Sequence, residues 1–239
     1  MTKKLVAMIP ARLGSKRIPK KNLRYLLDKP LIQYVIELTK HSKRFDGVWV
    51  NSESEEIGAF ATAQGVYFHQ RPIELSSDQA TNQQFTAEFL EKHECEYVVM
   101  INSTSPLLTQ DTLERFVEFV NASDYDTIFT VIDEKAESFF RGEPINFDVN
   151  RKVNSQLLEP VQKIVWAMTA WKRETFLAYH FQNKCGTYAG NIGLFTIPKD
   201  ESCDLDTMED WAIAEGMLTA RKMTERPVQF WERSDAVWN

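Results

Sequence analysis

The sequence predicts an α/β fold in which a mostly parallel β-sheet is flanked by helices. Three observations lead to this prediction. Short apolar runs alternate along the chain with segments whose apolar residues recur at helical spacing. In the run 96–101, every residue after Glu96 is apolar, which is typical of strands buried inside a parallel sheet. The length of 239 residues, with 43% hydrophobic and 26% charged residues, suits one α/β domain with a sizeable core.

The predicted elements follow one another in a regular order. Strands are predicted at residues 5–9, 47–50, 65–69, 96–101 and 125–132. Helices are predicted at residues 30–41, 52–64, 81–93 and 109–123. Either Ser52 or Ser54 is expected to cap the second helix because acidic residues follow both, and Thr109 is expected to open the fourth. This repeated order of strand and helix predicts helices on both faces of the sheet.

The alternation stops near Asp133. Residues 133–165 are irregular and polar, whereas residues 190–198 again predict a strand and residues 207–223 a long closing helix. We therefore treat residues 1–239 as a single domain with residues 133–165 as a small excursion. A short excursion cannot bury large apolar side chains alone, so this segment predicts a subdomain or an arm that contacts a second copy of the chain. The apolar side chains concerned are Phe139, Phe140, Phe147, Leu157 and Leu158.

Composition and charge exclude several classes of protein. The net charge of −6 argues against a general binder of nucleic acid or of anionic membranes. Cys95, Cys185 and Cys203 are odd in number and form no CxxC motif, so we interpret them as reduced thiols rather than as a disulfide framework or a zinc site. The N-terminus does not resemble a signal peptide, and no apolar run reaches membrane-spanning length. We expect a cytoplasmic protein without nucleic-acid or membrane partners.

A strongly basic loop follows the first predicted strand. It lacks the paired glycines and the Lys-Ser/Thr of a Walker A loop, and the three glycines of a dinucleotide-binding loop. Two interpretations remain: a solvated run of charge, or a loop whose long cationic side chains bind a polyphosphate. The basic residues are Arg12, Lys16, Arg17, Lys20 and Lys21, with Gly14 as the single glycine.

The position of this loop favours phosphate binding. Ligands of parallel α/β sheets bind at the carboxyl ends of the strands. Polar stretches follow or lie near predicted strand ends at residues 10–22, 102–106 and 204–207. We expect these three stretches to form one site.

Four motifs in the same chain order resemble those of a known family. They are "IPARLGSKRIPKKN", "RPIELSSDQA", "NSTSPLLTQDTL" and "DLDTMEDWAIAE". Together they resemble the cytidylyltransferases that make CMP-activated acidic sugars, above all the acylneuraminate group. The resemblance implies a Rossmann-like fold of the nucleotidyltransferase type and a homodimer. It also implies transfer of CMP from CTP to the anomeric hydroxyl of a nonulosonic, sialic-acid-like acid, with release of pyrophosphate.

The matching positions imply roles for individual residues. Phosphate binding and catalysis are implied for Arg12, Lys16 and Lys21, and binding of Mg²⁺ (or Mn²⁺) for the catalytic pair Asp204 and Asp206. The nucleotide would also be bound by Ala11, Gly14, Asn22, Arg71, Ala80 and Asn82, and the sugar by Asn102, Ser103, Trp166, Trp171 and Tyr188. Spacing alone leaves a second role open for the acidic segment, because Asp206 or Thr207 could instead cap the final helix, with Glu209 completing a capping box.

Some residues depart from the family pattern. Asn102 stands where the family has glutamine, and Glu53 is the counterpart of an acidic residue after the second strand. Residues 166–168, "WAM", stand where the family has Asn-Gly-Ala. Trp166 and Trp171 therefore indicate either an aromatic acceptor pocket or ordinary packing.

Two alternative functions remain at this stage. One is a CMP-Kdo-type synthetase that acts on an eight-carbon keto acid sugar, although "GSKRIPKKN" is closer to the acylneuraminate group. The other is a nucleotide-binding module without catalysis, which the presence of both Asp204 and Asp206 disfavours. The four histidines lie outside the motifs, so the sequence indicates no general base.

Overall fold

The computed structural model describes residues 3–223 and Phe230. The β-strands in this part of the chain are β1 (Leu5–Pro10), β2 (Tyr25–Leu26), β3 (Lys29–Pro30), β4 (Gly47–Ser52), β5 (Tyr67–Gln70), β6 (Tyr97–Ile101), β7 (Thr127–Glu134), β8 (Phe139–Phe140), β9 (Glu143–Pro144), β10 (Val161–Lys172) and β11 (Ile192–Thr196). The α-helices are α1 (Leu31–Ser42), α2 (Glu55–Ala63), α3 (Asn82–Lys92), α4 (Gln110–Ala122), α5 (Arg173–Phe181) and α6 (Met208–Lys222).

A seven-stranded sheet forms the centre of the molecule. Its strand order is β11-β7-β10-β6-β1-β4-β5. Strand β1 pairs in parallel with β4 and β6, β4 with β5, and β7 with β11, whereas β10 runs antiparallel to both of its neighbours. The predicted mostly parallel sheet flanked by helices is therefore confirmed.

The core divides into layers because successive side chains of a strand point to opposite faces. Leu5, Ala7 and Ile9 of β1 pack in a cluster with buried residues of α1, α2 and α4. Val6 and Met8 of the same strand pack in a cluster with buried residues of α3 and α5. A third cluster joins α6 to the segment after the first loop. Helix α6 is thereby held beside the carboxyl end of β1.

Side-chain caps fix the starts of several helices. Ser54, rather than Ser52, caps α2, and its side chain accepts a hydrogen bond from Ile57 N. Thr109 caps α4, as the sequence predicts. Thr81 caps α3 in a capping box with Gln84, which fixes the direction in which the first turn of α3 enters the site.

The sequence did not predict β10 or α5. The register between β10 and β7 shifts between Ile164 and Thr169, and the hydroxyl of Thr130 fills the gap by donating to carbonyl oxygens of β10 and accepting from Met168 N at 3.1 Å. This bulge interrupts the alternation that marks a strand. Helix α5 begins directly after β10 and has no side-chain cap, so no turn or capping residue marks its start in the sequence.

The excursion lies between two paired strands. Strand β7 ends at Glu134 and β10 begins at Val161, and the intervening chain includes the short β8–β9 hairpin. Among residues 3–223 and Phe230, no helix is long and apolar enough to cross a membrane.

Candidate active site

A cleft opens at the carboxyl ends of the central strands β1 and β6. Its volume is about 400 Å³. The stretches 10–22, 102–106 and 204–207 all contribute to its wall, so the structure brings together the three polar stretches that the sequence indicated. The lining residues are Pro10, Ala11, Arg12, Lys21, Asn22, Arg71, Asn82, Phe85, Met100, Asn102, Ser103, Thr104, Trp166, Asp204 and Asp206.

Hydrogen bonds from three segments fix the end of β1. Ala11 N donates to the carbonyl of Asn51 at 3.0 Å. Ser103 Oγ donates to the Pro10 carbonyl at 2.9 Å, and Arg71 Nη2 donates to the Ala11 carbonyl at 2.5 Å. The main chain at Pro10 and Ala11, from which the basic loop starts, is therefore held in place by hydrogen bonds.

Asp78 holds two cations of this loop. Arg12 Nη1 donates to Asp78 Oδ1 at 2.8 Å and to the Ser76 carbonyl at 3.3 Å. Lys16 forms an ion pair with the second oxygen of Asp78. The contacts with Lys16 and Arg12 hold the pKa of Asp78 below its usual range.

Asp206 holds two further cations at the other end of the loop. Arg17 Nη2 lies 2.9 Å from Asp206 Oδ2, and Lys21 Nζ lies 3.1 Å from Asp206 Oδ1. Lys21 Nζ also donates to the Leu205 carbonyl at 2.6 Å. The basic loop and the acidic segment before α6 are thus in direct contact.

These ion pairs surround a second cavity of about 240 Å³, which shares four residues with the main cleft. Guanidinium and ammonium groups arranged around one cavity are suited to the oxygens of a polyphosphate. This arrangement favours phosphate binding over a solvated run of charge. The cavity is lined by Arg12, Ser15, Lys16, Arg17, Lys21, Asn22, Asp78 and Asp206.

Asp204 is the second carboxylate of the acidic segment. Its side chain still reaches solvent, yet the surrounding protein removes much of its hydration, and this desolvation raises its pKa. The neighbouring Asp206 and Asp210 raise the pKa further, whereas a hydrogen bond with Thr104 and the charge of Lys21 oppose the increase. The site therefore favours a cationic partner for Asp204.

The structure resolves which residue caps the final helix. Thr207 is the N-cap of α6, and its capping-box partner is Asp210 rather than Glu209. Asp210 Oδ2 accepts hydrogen bonds from the main-chain N–H groups of Asp206 and Thr207, at 3.0 and 2.7 Å. The interpretation of Asp206 as the cap is therefore wrong, and its carboxylate is available to the cleft.

Arg71 forms a buried wall on the nucleotide side. Only 4% of its side chain is exposed, and its guanidinium lies 4.9 Å from the ring centroid of Phe85. Arg71 Nη2 lies 3.5 Å from Glu53 Oε2, and the other oxygen of Glu53 accepts from Leu13 N at 2.9 Å. Glu53 therefore joins the basic loop to Arg71.

Three further predicted nucleotide residues lie nearby. Asn22 is buried and donates from Nδ2 to the Arg12 carbonyl at 3.0 Å. Asn82, at the first turn of α3, lines the main cleft. Ala80 lines an adjoining cavity of about 230 Å³, to which Arg12 and Arg71 also contribute.

The bulge of β10 brings Trp166 to the opposite side of the cleft. Asn102 N donates to the Ala167 carbonyl at 2.9 Å, which fixes the bulge against the end of β6. The half-buried ring of Trp166 lies edge-on to Phe129, with centroids 5.4 Å apart, and Met100 lines the same cleft. This side is therefore more apolar than the phosphate side.

The structure does not place every predicted residue at the cleft. Trp171 is 1% exposed, belongs to the cluster that packs against α3 and α5, and donates from Nε1 to the Thr187 carbonyl at 3.0 Å. The prediction that it lines the acceptor pocket is wrong, because its inward position on β10 makes it a core residue. Tyr188 is exposed and packs beside Phe129, with the two ring centroids 5.6 Å apart, but it does not line the cleft. Gly14 lies in the exposed loop outside the described cavities.

Other cleft residues were not assigned a role from the sequence. Arg17 was counted in the basic loop, and Asp78 lies within a quoted motif, so both had a signal. Thr104 likewise lies within one of the four motifs, whereas Phe85 had no signal, because an aromatic residue in a helical pattern indicates packing. Their importance depends on contacts with Arg71 and Asp204 that only the fold creates.

The pair Asp204 and Asp206 fits a hard divalent cation. Both carboxylates reach the same cleft, and Mg²⁺ in proteins commonly binds one or two carboxylates together with water and substrate phosphates. In the described part of the chain, no group of three or more His, Cys, Asp or Glu residues is arranged to hold a metal. A cation at this pair would therefore take its other ligands from water and from substrate phosphates.

The chain resembles known cytidylyltransferases over most of its length. The model of the family described as "Cytidylyltransferase" matches residues 6–207. The chain is 39% identical over 127 residues to N-acylneuraminate cytidylyltransferase A of Danio rerio, a match that covers 53% of this chain and 30% of that protein. It is 31% identical over 231 residues to pseudaminic acid cytidylyltransferase of Campylobacter jejuni, a match that covers 88% of this chain and 94% of that protein.

A solved structure has the same fold. CMP:2-keto-3-deoxy-manno-octonic acid synthetase, complexed with CTP, superposes with a TM-score of 0.69 over 92% of this chain and 100% of that chain. The sequence identity is 18%, so this likeness describes the fold alone. The chain spans about half or less of the length of the N-acylneuraminate cytidylyltransferases that it matches.

Proposed function

Because the chain belongs to the cytidylyltransferase family, we propose that it transfers CMP from CTP to the anomeric hydroxyl of a nonulosonic acid and releases pyrophosphate. One observation carries the proposal. A single cleft brings the basic loop and the pair Asp204 and Asp206 together at the carboxyl ends of β1 and β6. Nucleotidyl transfer requires this combination of cationic groups and carboxylates around one polyphosphate.

The reaction is a substitution at the α-phosphorus of CTP. The anomeric oxygen of the sugar forms a bond to this phosphorus, the bond to the β-phosphate oxygen breaks, and the hydroxyl proton passes to solvent. Arg12, Lys16 and Lys21 lie where they can neutralise charge on the leaving pyrophosphate. The described residues that line the cleft include no histidine, so the proposed catalysis depends on positioning and charge neutralisation by these side chains.

Mg²⁺ or Mn²⁺ is the proposed cofactor, with Asp204 and Asp206 as its protein ligands. When bound, such a cation supplies a Lewis acid that polarises phosphate oxygens. Asp206 pairs with Arg17 and Lys21, so these cations can exchange the carboxylate for phosphate when the substrate binds.

The nucleotide half of the site is proposed to lie around Arg71. The main-chain carbonyl of Ala11, which accepts from Arg71, and the side chains of Asn22 and Asn82 give this half fixed polar groups. A buried guanidinium packed on Phe85 forms a flat wall suited to a nucleoside.

The acceptor is proposed to be a deoxygenated, diacylated nonulosonic acid rather than N-acetylneuraminate. The apolar side of the cleft, formed by Trp166 and Met100, favours methyl and acyl groups over free hydroxyls. The name of the Campylobacter jejuni relative, which matches 88% of this chain, points to pseudaminic acid as the first acceptor to test. Asn102 lies between the two sides and is proposed to contact the sugar.

The chain is also proposed to form a homodimer in the cytoplasm. Phe139, Phe140 and Leu157 of the excursion are 59%, 64% and 75% exposed in the single chain, which supports burial against a second copy. Leu158 is only 5% exposed, so the expectation that the excursion cannot bury its apolar side chains alone is wrong for this residue. Cys95 and Cys203 are half-buried free thiols, which suits a reducing compartment.

The direct test is pyrophosphate release from CTP with a panel of acceptors. The panel contains pseudaminic acid, N-acetylneuraminate and the eight-carbon acid Kdo, and UTP and GTP serve as control nucleotides. We expect turnover with CTP and a nonulosonic acid, with pseudaminic acid preferred. Equal turnover with UTP would contradict the cytidine assignment, and a preference for Kdo would favour the eight-carbon alternative.

A further inference from the structure

Asp78 pairs with two cations of the basic loop, Arg12 and Lys16, to which the proposed function assigns phosphate binding. It lies after the short helical turn Ile73–Ser76, on the segment that leads from β5 to α3, so it approaches the loop from outside. One of its oxygens accepts from Arg12 and the other pairs with Lys16. A polyphosphate that binds both cations must compete with this carboxylate.

The exposure of these groups indicates a reversible contact. The side chains of Arg12 and Asp78 are 40% and 44% exposed, and that of Lys16 is 82% exposed. Ion pairs in such positions contribute little to stability because water screens them. The pair of Arg71 and Glu53 differs, since both side chains are nearly buried and a ligand cannot easily separate them.

Asp78 and Asp206, which each pair with two cations of the loop, differ in a second respect. Asp206 belongs to the proposed metal pair, so removing its charge would change more than one property of the site. Asp78 has no hydrogen bond or ion pair to any other described residue besides Arg12 and Lys16. Its role can therefore be examined separately.

We propose that Asp78 is a displaceable internal competitor that sets the affinity of the basic loop for polyphosphate. Without a nucleotide it holds Arg12 and Lys16 together; the triphosphate displaces it, and its return assists the release of pyrophosphate. This inference rests on the proposed function only in naming CTP as the source of the triphosphate. It predicts that part of the binding free energy of any polyphosphate is used to separate Asp78 from the loop.

The test measures binding of inorganic pyrophosphate and tripolyphosphate by calorimetry, without divalent cations. The variant is Asp78→Asn, and the matched control is Glu74→Gln, which makes the same change of charge on the same segment. Glu74 is exposed and makes no ion pair with another described residue. Asp78→Asn should bind both anions about 3–10-fold more tightly than the wild type, whereas Glu74→Gln should change their affinity less than about twofold.

A second variant and a kinetic measurement complete the design. Asp78→Glu keeps the charge and should retain nearly wild-type affinity, and thermal unfolding verifies that each variant is folded. Pyrophosphate should also inhibit the Asp78→Asn enzyme more strongly as a product. If Asp78→Asn binds polyphosphate no more tightly than Glu74→Gln, or more weakly, Asp78 is not a competitor. Anion binding is measured independently of turnover, so absence of transfer from CTP would overturn the proposed function and leave this result intact.

Discussion

Lys21 connects the first loop to the segment before the last helix, since its Nζ lies 3.1 Å from Oδ1 of Asp206. The two residues are separated by most of the chain, yet both reach the cleft because β1 is central and α6 packs beside its carboxyl end. Only 13% of the Lys21 side chain is exposed, so this ammonium group is held in place more firmly than the other loop cations. The contact joins the proposed phosphate site to the proposed metal pair.

Asp206→Asn should abolish most activity while the protein remains folded. Removal of one of two metal carboxylates should lower kcat/KM about 100-fold or more, and because Thr207 rather than Asp206 caps α6, the helix keeps its start. Activity of the wild type should disappear with a chelator and return with Mg²⁺ or Mn²⁺. The measurements are pyrophosphate release and thermal unfolding.

The control for this experiment is Asp210→Asn. It weakens the capping box and should cost about 1 kcal/mol of stability with a smaller loss of activity. Undiminished activity of the wild type in excess chelator would show that the aspartate pair holds no metal.

Trp166 and Trp171 should give opposite results when each is changed to alanine. Trp166→Ala removes part of the apolar side of the cleft, so the ratio of kcat/KM for pseudaminic acid to kcat/KM for N-acetylneuraminate should fall. An apolar pocket discriminates by about 10–100-fold, which sets the upper limit of this fall. Trp171→Ala leaves a cavity in the core and should lower the free energy of unfolding by about 3–5 kcal/mol. Its folded fraction should keep the wild-type substrate ratio, and the same ratio in both variants would show that Trp166 is also only a packing residue.

The same two tryptophans illustrate how far the sequence can be interpreted. Periodicity and turn residues were sufficient for the strands and helices that repeat regularly, and motif order was sufficient for most of the cleft. Trp171 could not be placed, because β10 was not recognised as a strand and the face of each residue was therefore unknown. A bulge separates the environments of Trp166 and Trp171, and the hydroxyl of Thr130 stabilises it by a hydrogen bond to the Val165 carbonyl. Thr130 and Val165 are 35 residues apart along the chain. Such long-range contacts leave no local pattern.

Phe140→Ser should weaken association of two chains if the excursion forms a dimer contact. Phe140 is 64% exposed in the single chain, and loss of a buried aromatic contact at an interface should raise the dissociation constant about tenfold or more. Tyr25→Ser is the matched control, because Tyr25 is equally exposed but lies outside the excursion. Sedimentation velocity over a range of concentrations measures both, and a wild type that sediments as a monomer would contradict the dimer.

A buried histidine, His69, and its partly buried neighbour His93 make stability depend on pH. His69 Nε2 lies 2.7 Å from Glu88 Oε2, and His69 Nδ1 lies 2.9 Å from His93 Nε2. With Glu88 ionised, its carboxylate accepts a hydrogen bond from His69 Nε2–H, so Nδ1 of neutral His69 accepts from His93 Nε2–H. A proton added at His69 Nδ1 would break this chain of hydrogen bonds. Burial, and then the neighbouring His69, lower the pKa of His93 to about 4, and burial also lowers the pKa of His69.

The sign of the effect follows from proton binding by the two states. Between pH 6.5 and pH 4 the unfolded chain binds more protons than the native chain, so stability decreases as the pH falls through this window. From pH 7 to pH 5.5, His93 should account for a loss of about 1 kcal/mol in the free energy of unfolding. Urea titrations should show a smaller loss for His93→Gln than for the wild type, whereas His41→Gln, at an exposed position on α1, should follow the wild type. A wild-type slope in His93→Gln would mean that His93 is protonated equally in the folded and unfolded states.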